Sequence, residues 1–211
     1  MDSYLEQLNC PNYRYDFTHM VQYATLNQVP IITKDSLTVL LTLLDIKKAK
    51  RVLEIGTAIG YSALNMIMSD STRNVSTIER DDVMYQEAMR NINFFQASSQ
   101  IQIFHADALQ IDVAQLGNEY DVLFIDAAKA QYQKFFERFV PLLKPDGIII
   151  TDNILFHGCV ANNQRQTMSK NVRHMATKVD QYNHFLTSLP EYQTYFINVG
   201  DGLAITMRKV S

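Results

Sequence analysis

Two short acidic stretches carry the residues best suited to chemistry. Asp126 closes the apolar run 120–125, and Asp152 with Asn153 closes the apolar run 147–151. Two carboxylates and a carboxamide are three hard oxygen donors, a set that suits magnesium, manganese or calcium and suits zinc poorly. Brought close without a cation, the two acids would repel, so a shared metal is the economical explanation. Each pair also has a plain structural reading. Asp126 with Lys129 would make an ion pair at a helix start, and Asp152 with Asn153 a capping turn.

A second group of candidates also follows apolar runs. Residues 51–55 lead into Glu54-Ile55-Gly56-Thr57-Ala58-Ile59-Gly60-Tyr61-Ser62, where glycines let the backbone turn sharply and approach a ligand closely. The spacing is not the dinucleotide fingerprint, because Ala63 stands where a third glycine would be needed. It suits a ligand with no pyrophosphate. The carboxylate of such a ligand could sit at the helix that Tyr61 and Ser62 open, bonded by backbone N–H groups and the Ser62 hydroxyl. Glu79, after the run 75–78, could accept both hydroxyls of a ribose. Asp107, in Ala106-Asp107-Ala108 after the run 101–104, could hold an adenine amino group, with apolar atoms stacked on the ring. Each residue alone also fits an ordinary turn or a surface acid; three coincidences at three strand ends are harder to set aside.

The elements that must position these residues follow from the pattern between them. Short buried strands are expected at 51–55, 75–78, 101–104, 120–125 and 147–151, separated by helical stretches at 61–68, 82–95 and 131–143. That alternation predicts an α/β, Rossmann-like fold: a parallel sheet with helices on both faces, whose ligands bind beyond the carboxyl ends of the strands. Before it, 1–28 (with Leu5, Leu8, Phe17, Met20, Val21 and Ala24) and 36–44 read as N-terminal helices. After a helix at 171–189 come strands at 192–198 and 203–208 around Val199-Gly200-Asp201-Gly202, a hairpin signal. A terminal antiparallel hairpin is unlike a plain dinucleotide fold.

Length and composition set the bounds. With 211 residues, 47% of them hydrophobic, the chain is expected to form one domain, 1–211, with 1–45 as a helical cap. No apolar run is long enough to span a bilayer, so no membrane partner is expected, and the first residues lack the pattern of a secretory signal. Cys10 and Cys159 lie far apart without metal-ligand spacing, which points to a reducing cytoplasm. The net charge of −3 argues against a general nucleic-acid coat but permits a local basic face. Such a face is present in residues 157–178, which hold Arg165, Lys170, Arg173 and Lys178 and no acid.

Taken together, VLEIGTAIGYSAL, Glu79, HADA, DVLFIDAAKAQY, IIITDN and NVGDGLAI resemble the cation-dependent class I O-methyltransferases, which include catechol and caffeoyl-coenzyme A O-methyltransferases and bacterial relatives. The resemblance covers about residues 30–208; it is the set that is specific, not any one motif. It implies a seven-stranded sheet with its last strand antiparallel, and S-adenosyl-L-methionine bound by Ile32, Gly56, Tyr61, Ser62, Glu79, Asp107, Ala108 and Asp126. It also implies Mg2+ (or Mn2+ or Ca2+) on Asp126, Asp152 and Asn153, and a homodimer. A six-coordinate metal with three protein ligands leaves room for two adjacent substrate oxygens and a water, and Lys129 would serve as general base or oxyanion support.

Two substrates with vicinal oxygens fit. One is 5-hydroxyuridine at the wobble position of tRNA, converted to 5-methoxyuridine by a compact bacterial branch that this chain resembles more than the plant or animal enzymes. The other is a small catechol or caffeoyl-coenzyme A-type molecule. The basic residues after the metal ligands would form a cationic rim for RNA phosphates, although a solvated helix face or a small anionic substrate would account for them as well.

Overall fold

The computed structural model describes Tyr4, Leu8, residues 16–161 and residues 167–209. Leu5, Cys10 and Arg165, singled out above, lie outside the described residues. The first helix that lies wholly within the described residues, α1 (Thr18–Asn27), ends at Gln28 in a left-handed conformation. Next comes α2 (Lys34–Lys47), whose limits follow from local chemistry. Thr33 caps it by accepting the Ser36 N–H at 3.2 Å, Asp35 stands in its first turn and Lys47 in its last. Leu37, Leu40, Leu41 and Leu44 recur at helical spacing on its buried face.

The alternating part then runs β1 (Arg51–Ile55), α3 (Tyr61–Ser69), β2 (Asn74–Glu79), α4 (Asp82–Phe94), β3 (Ile101–His105), β4 (Tyr120–Ile125), α5 (Tyr132–Phe139), β5 (Leu143–Asp152), α6 (Lys170–Ser188), β6 (Tyr192–Ile197) and β7 (Leu203–Arg208). The seven strands form one sheet in the order β3-β2-β1-β4-β5-β7-β6. The five strands β1 to β5 are parallel neighbours, while β7 runs antiparallel to both β5 and β6. The seven-stranded, Rossmann-like sheet expected from the motifs is therefore present, with its last strand reversed.

Two differences have local causes. The helix expected over 131–143 stops at Phe139 because Pro141 has no N–H for a further helical bond; a 3-10 turn, Val140–Leu142, follows. Strand β5 starts at Leu143, earlier than expected, and its pairing with β4 shifts register between Tyr120 and Val122. Asp121 at this irregular point accepts the N–H groups of Lys50 (2.7 Å) and Arg51 (2.9 Å) and the Lys144 ammonium (2.6 Å).

Both faces of the sheet are covered, which is why its inner strands read as continuous apolar runs. In β4, Val122 and Phe124 join the core formed with α1, α2 and α3, while Leu123 and Ile125 join the core formed with α5 and α6. Arg73, fully buried before β2, ties this end of the molecule together. Its guanidinium donates to the carbonyls of Ala49 and Met66 and to the Ser69 hydroxyl, and meets Asp45 at 2.9 Å. Among the described residues no helix is long and apolar enough to cross a membrane.

Candidate active site

The register of the sheet delivers the candidate residues to one end. Ile55 stands opposite Ile78 on one side and Ile125 on the other, and Ile125 stands opposite Thr151. Glu79 and Asp152 are the last residues of β2 and β5, and Gly56 and Asp126 directly follow β1 and β4, so the four stand along the same edge. A cavity of about 380 Å³ opens there, within the roughly 300–1,000 Å³ of small-molecule sites. Ile32, Gly56, Tyr61, Ser62, Glu79, Asp107, Ala108 and Asp126 all line it, as do Lys129 and Asn153.

Gly56 is required at its position. Its φ is +101°, and a Cβ there would lie 2.1 Å from the Asp126 carbonyl oxygen, so β1 and β4 close together only over a hydrogen. Glu79 ends β2 and is held rigidly. Its Oε2 accepts from Ala58 N at 2.9 Å, and its Oε1 from Arg80 N and Asp81 N at 2.8 Å each. One lone-pair site, on Oε2, remains open to a ligand hydroxyl. Asp107 is anchored by Leu109 N (2.8 Å) and faces Arg80 at 3.7 Å. Ser62 differs from expectation: its hydroxyl donates to Glu54, so its proton is committed and a ligand carboxylate would rely on the N–H groups opening α3.

Glu54 is the residue that the sequence did not single out. It points inward from β1, fully enclosed beneath the glycine turn, and accepts from Ser62 and from Thr77 (2.6 Å), whose hydroxyl also meets Thr57 at 2.6 Å. Burial pushes its carboxyl up to about 8, against the pull of those two hydroxyls. A charged residue within an otherwise apolar strand was its only signal. Arg80 and Phe135 also line the cavity without having been marked.

At the other end of the cavity stands Asp126, directly after β4, with Asp152, the last residue of β5, fully buried near it. Burial, reinforced by Asp152, raises the Asp126 carboxyl to about 7, while Lys129 works against the shift. Asp152 is also raised, chiefly by burial. Its Oδ1 accepts Asn153 N at 2.7 Å, but its Oδ2 is buried with no hydrogen-bond partner. Tyr132 donates to the Asp152 carbonyl at 2.9 Å, fixing the strand end. Asn153 has φ +62°, in the left-handed region that Asn tolerates, and its Oδ1 accepts from the Lys129 ammonium at 2.5 Å.

Lys129 thus bonds the amide rather than forming an ion pair with Asp126. It stands in the 3-10 turn Lys129–Gln131, not one α-helical turn beyond Asp126. An orphaned buried oxygen, two carboxyls made costly to ionise together, and an ammonium lodged on the third donor all suit the binding of a cation. Among the described residues no group of three His, Cys, Asp or Glu could hold a metal, so such a site would rest on two carboxylates and the Asn153 amide.

The basic residues are placed differently. Lys170, Arg173 and Lys178 are exposed on α6, and none is among the residues lining the cavity. The helix that carries them packs on the 3-10 turn of Lys129, and its Asn183 donates to the Ile154 carbonyl at 3.0 Å.

A family model described as O-methyltransferase matches residues 12–209, and with the fold and cavity above the chain belongs to that family and is an enzyme of its class. The caffeoyl-CoA O-methyltransferase of Populus kitakamiensis is 30% identical over 171 residues, covering 79% of this chain and 73% of that protein. The crystal structure of a candidate caffeoyl-CoA O-methyltransferase from Staphylococcus aureus is 39% identical, covers 98% of both chains and superimposes with a TM-score of 0.92. A Bacillus cereus O-methyltransferase in complex with SAH shares the fold at a TM-score of 0.82 and 23% identity, over 99% of this chain and 96% of that one.

Proposed function

We propose that this protein transfers a methyl group from S-adenosyl-L-methionine to a hydroxyl oxygen with the help of a divalent cation, and that its acceptor is 5-hydroxyuridine in tRNA. The observation that carries the reaction type is that Asp126 and Asn153 line one end of the cavity while Asp152 lies buried beside them, near enough to raise the Asp126 carboxyl and with one oxygen unpartnered. Those three side chains would hold the cation. Glu79, pinned by three backbone N–H groups, would take a ribose hydroxyl, and Asp107 the adenine amino group. Ile32 and Tyr61 would wall the cofactor in, with Gly56 giving the close backbone approach.

A cation bound there supplies Lewis acidity, which lowers the pKa of a chelating substrate hydroxyl and orients its oxygen. The cofactor supplies an electrophilic methyl. The chain's own part is positioning and charge control. Engaging the Asn153 oxygen would free the Lys129 ammonium to steady the acceptor oxyanion, or, once deprotonated, to take its proton. Buried Tyr132 and Thr151 hold the end of β5 in place, the first through the Asp152 carbonyl and the second through Tyr182 at 2.8 Å.

The tRNA acceptor is supported by the exposed Lys170, Arg173 and Lys178 on a helix packed against the Lys129 turn, and by the vicinal 5-hydroxyl and 4-carbonyl of the base. The second reading, a caffeoyl-coenzyme A-type acceptor, is favoured by the names of the Populus and Staphylococcus proteins. Nucleoside mass spectrometry of tRNA from a deletion strain separates the two. Accumulated 5-hydroxyuridine with 5-methoxyuridine missing is expected, and an unchanged nucleoside profile would refute the tRNA acceptor. With whichever acceptor is turned over, Asp126→Ala and Asp152→Ala should abolish methyl transfer while circular dichroism stays native-like. Activity retained in chelator would refute the cation.

A further inference from the structure

The turn between β6 and β7 reaches the site from outside it. Residues 199–202 are closed by Gly202 N donating to the Val199 carbonyl at 2.8 Å. From this turn the chain grips the segment that follows Asp152. Ile154 N donates to the Gly202 carbonyl (3.2 Å), Leu155 N to the Asp201 carbonyl (2.9 Å), and His157 N to Asp201 Oδ1 (2.6 Å).

The gripped segment needs such support. Asn153, Phe156 and His157 have φ values of 62°, 48° and 54°, a conformation that Asn tolerates but that is unfavourable for Phe and His. A side-chain acceptor placed on His157 N offsets part of that cost and defines where the segment turns. The turn is also wedged in place. A Cβ on Gly202 would lie 2.7 Å from Leu155 Cγ, and one on Gly200 would lie 2.6 Å from the hydroxyl of Thr33, which follows Ile32 and caps α2. It therefore touches both loops that line the cavity ahead of α2 and after β5. The Asp201 carboxylate is 11% exposed, too enclosed for an ordinary surface turn acid.

We propose that Asp201 is a positioning residue for methyl transfer: by holding His157 N it fixes the segment 153–157 and with it the orientation of the Asn153 amide. This rests on the reading of Asn153 as a cation ligand. Asp201 itself touches neither cofactor nor acceptor in that reading. Its effect should follow mainly the hydrogen bond, because Asn at this position still presents an oxygen to His157 N and the Asp201 charge is a minor influence on Asp152 beside burial.

The test compares full-length wild type, Asp201→Ala, Asp201→Asn and Asp152→Ala. Mn2+ affinity is measured by electron paramagnetic resonance without acceptor, and amide hydrogen exchange at His157 is measured in chelator. Asp201→Ala should lose protection at His157 and bind Mn2+ roughly tenfold more weakly, the lower end of what outer supports of metal ligands contribute. Asp201→Asn should restore both. Wild-type Mn2+ affinity in Asp201→Ala, or no rescue by Asn, would overturn the assignment. Wild-type Mn2+ affinity in Asp152→Ala would take down the cation reading itself, and this assignment with it. Should the alanine variant not fold, the asparagine variant decides alone, since native-like exchange and affinity are expected of it and their loss would refute the hydrogen-bond clamp.

Discussion

Glu54 offers a quantitative test of how the site is built, because its carboxyl is enclosed beneath the cofactor turn with two hydroxyls and no cation beside it. Its ordinary value of 4.5 is raised to about 8 in the folded protein. Between those values the unfolded chain has released the proton and the folded one keeps it, so stability falls as pH rises; below 4.5 and above about 8 the group contributes no slope. At about 1.4 kcal/mol per pH unit, the loss from about pH 5.5 to about pH 7.5 is about 2–3 kcal/mol. Glu54→Gln removes the titration but keeps the shape, and the Ser62 and Thr77 hydroxyls can rotate to suit an amide. Urea unfolding of both proteins at the two pH values, in chelator, gives the double difference. Asp126, also raised, shifts stability in the same direction in both, and its contribution cancels apart from its own coulombic coupling to Glu54. The variant should gain on the wild type by about 2–3 kcal/mol at the higher pH, or roughly 1 M in midpoint for a slope of about 2 kcal/mol per M. Equal pH slopes in the two proteins would refute the claim that Glu54 is held protonated by burial.

Gly56→Ala should destabilise the fold by more than about 3 kcal/mol, since it adds both a disfavoured φ and a clash with the Asp126 carbonyl; a thermal midpoint within a degree or two of wild type would contradict this. Arg73→Met should cost about 3 kcal/mol in urea unfolding, because the Ala49 and Met66 carbonyls lose their buried donor while Asp45 stays solvated; a neutral result would show that water replaces the guanidinium. Replacing Lys170, Arg173 and Lys178 together by Gln should weaken tRNA binding and flatten its dependence on log salt by up to about 2–3, read by filter binding over a salt series; an unchanged slope would remove α6 from the RNA surface.

Much of the site could be read before the chain was folded, for a simple reason. In a parallel sheet the ligand-facing residues come one or two positions after each apolar run, so finding the strands also marks Gly56, Glu79, Asp107, Asp126 and Asp152. The hairpin at 199–202 and the capped helix α2 were likewise written in local chemistry, in turn glycines and in Thr33 ahead of an amphipathic run. The length of β5 was not, because Lys144, Pro145 and Asp146 look like a loop, and only the pairing of Leu143 with Tyr120 on their far side carries the strand through them as an irregularity.

By itself, then, the sequence determined which residues stand at strand ends and what donors they bring, because periodicity and turn chemistry act over a few neighbouring residues. Only the tertiary structure decided which strand ends are neighbours, and so that Asp126, at the cavity wall, has the buried Asp152 beside it. It alone enclosed Glu54, set Lys129 on the Asn153 amide and placed Asp201 under His157. Those are matters of desolvation and of contact between distant segments, quantities that have no value until the sheet has closed.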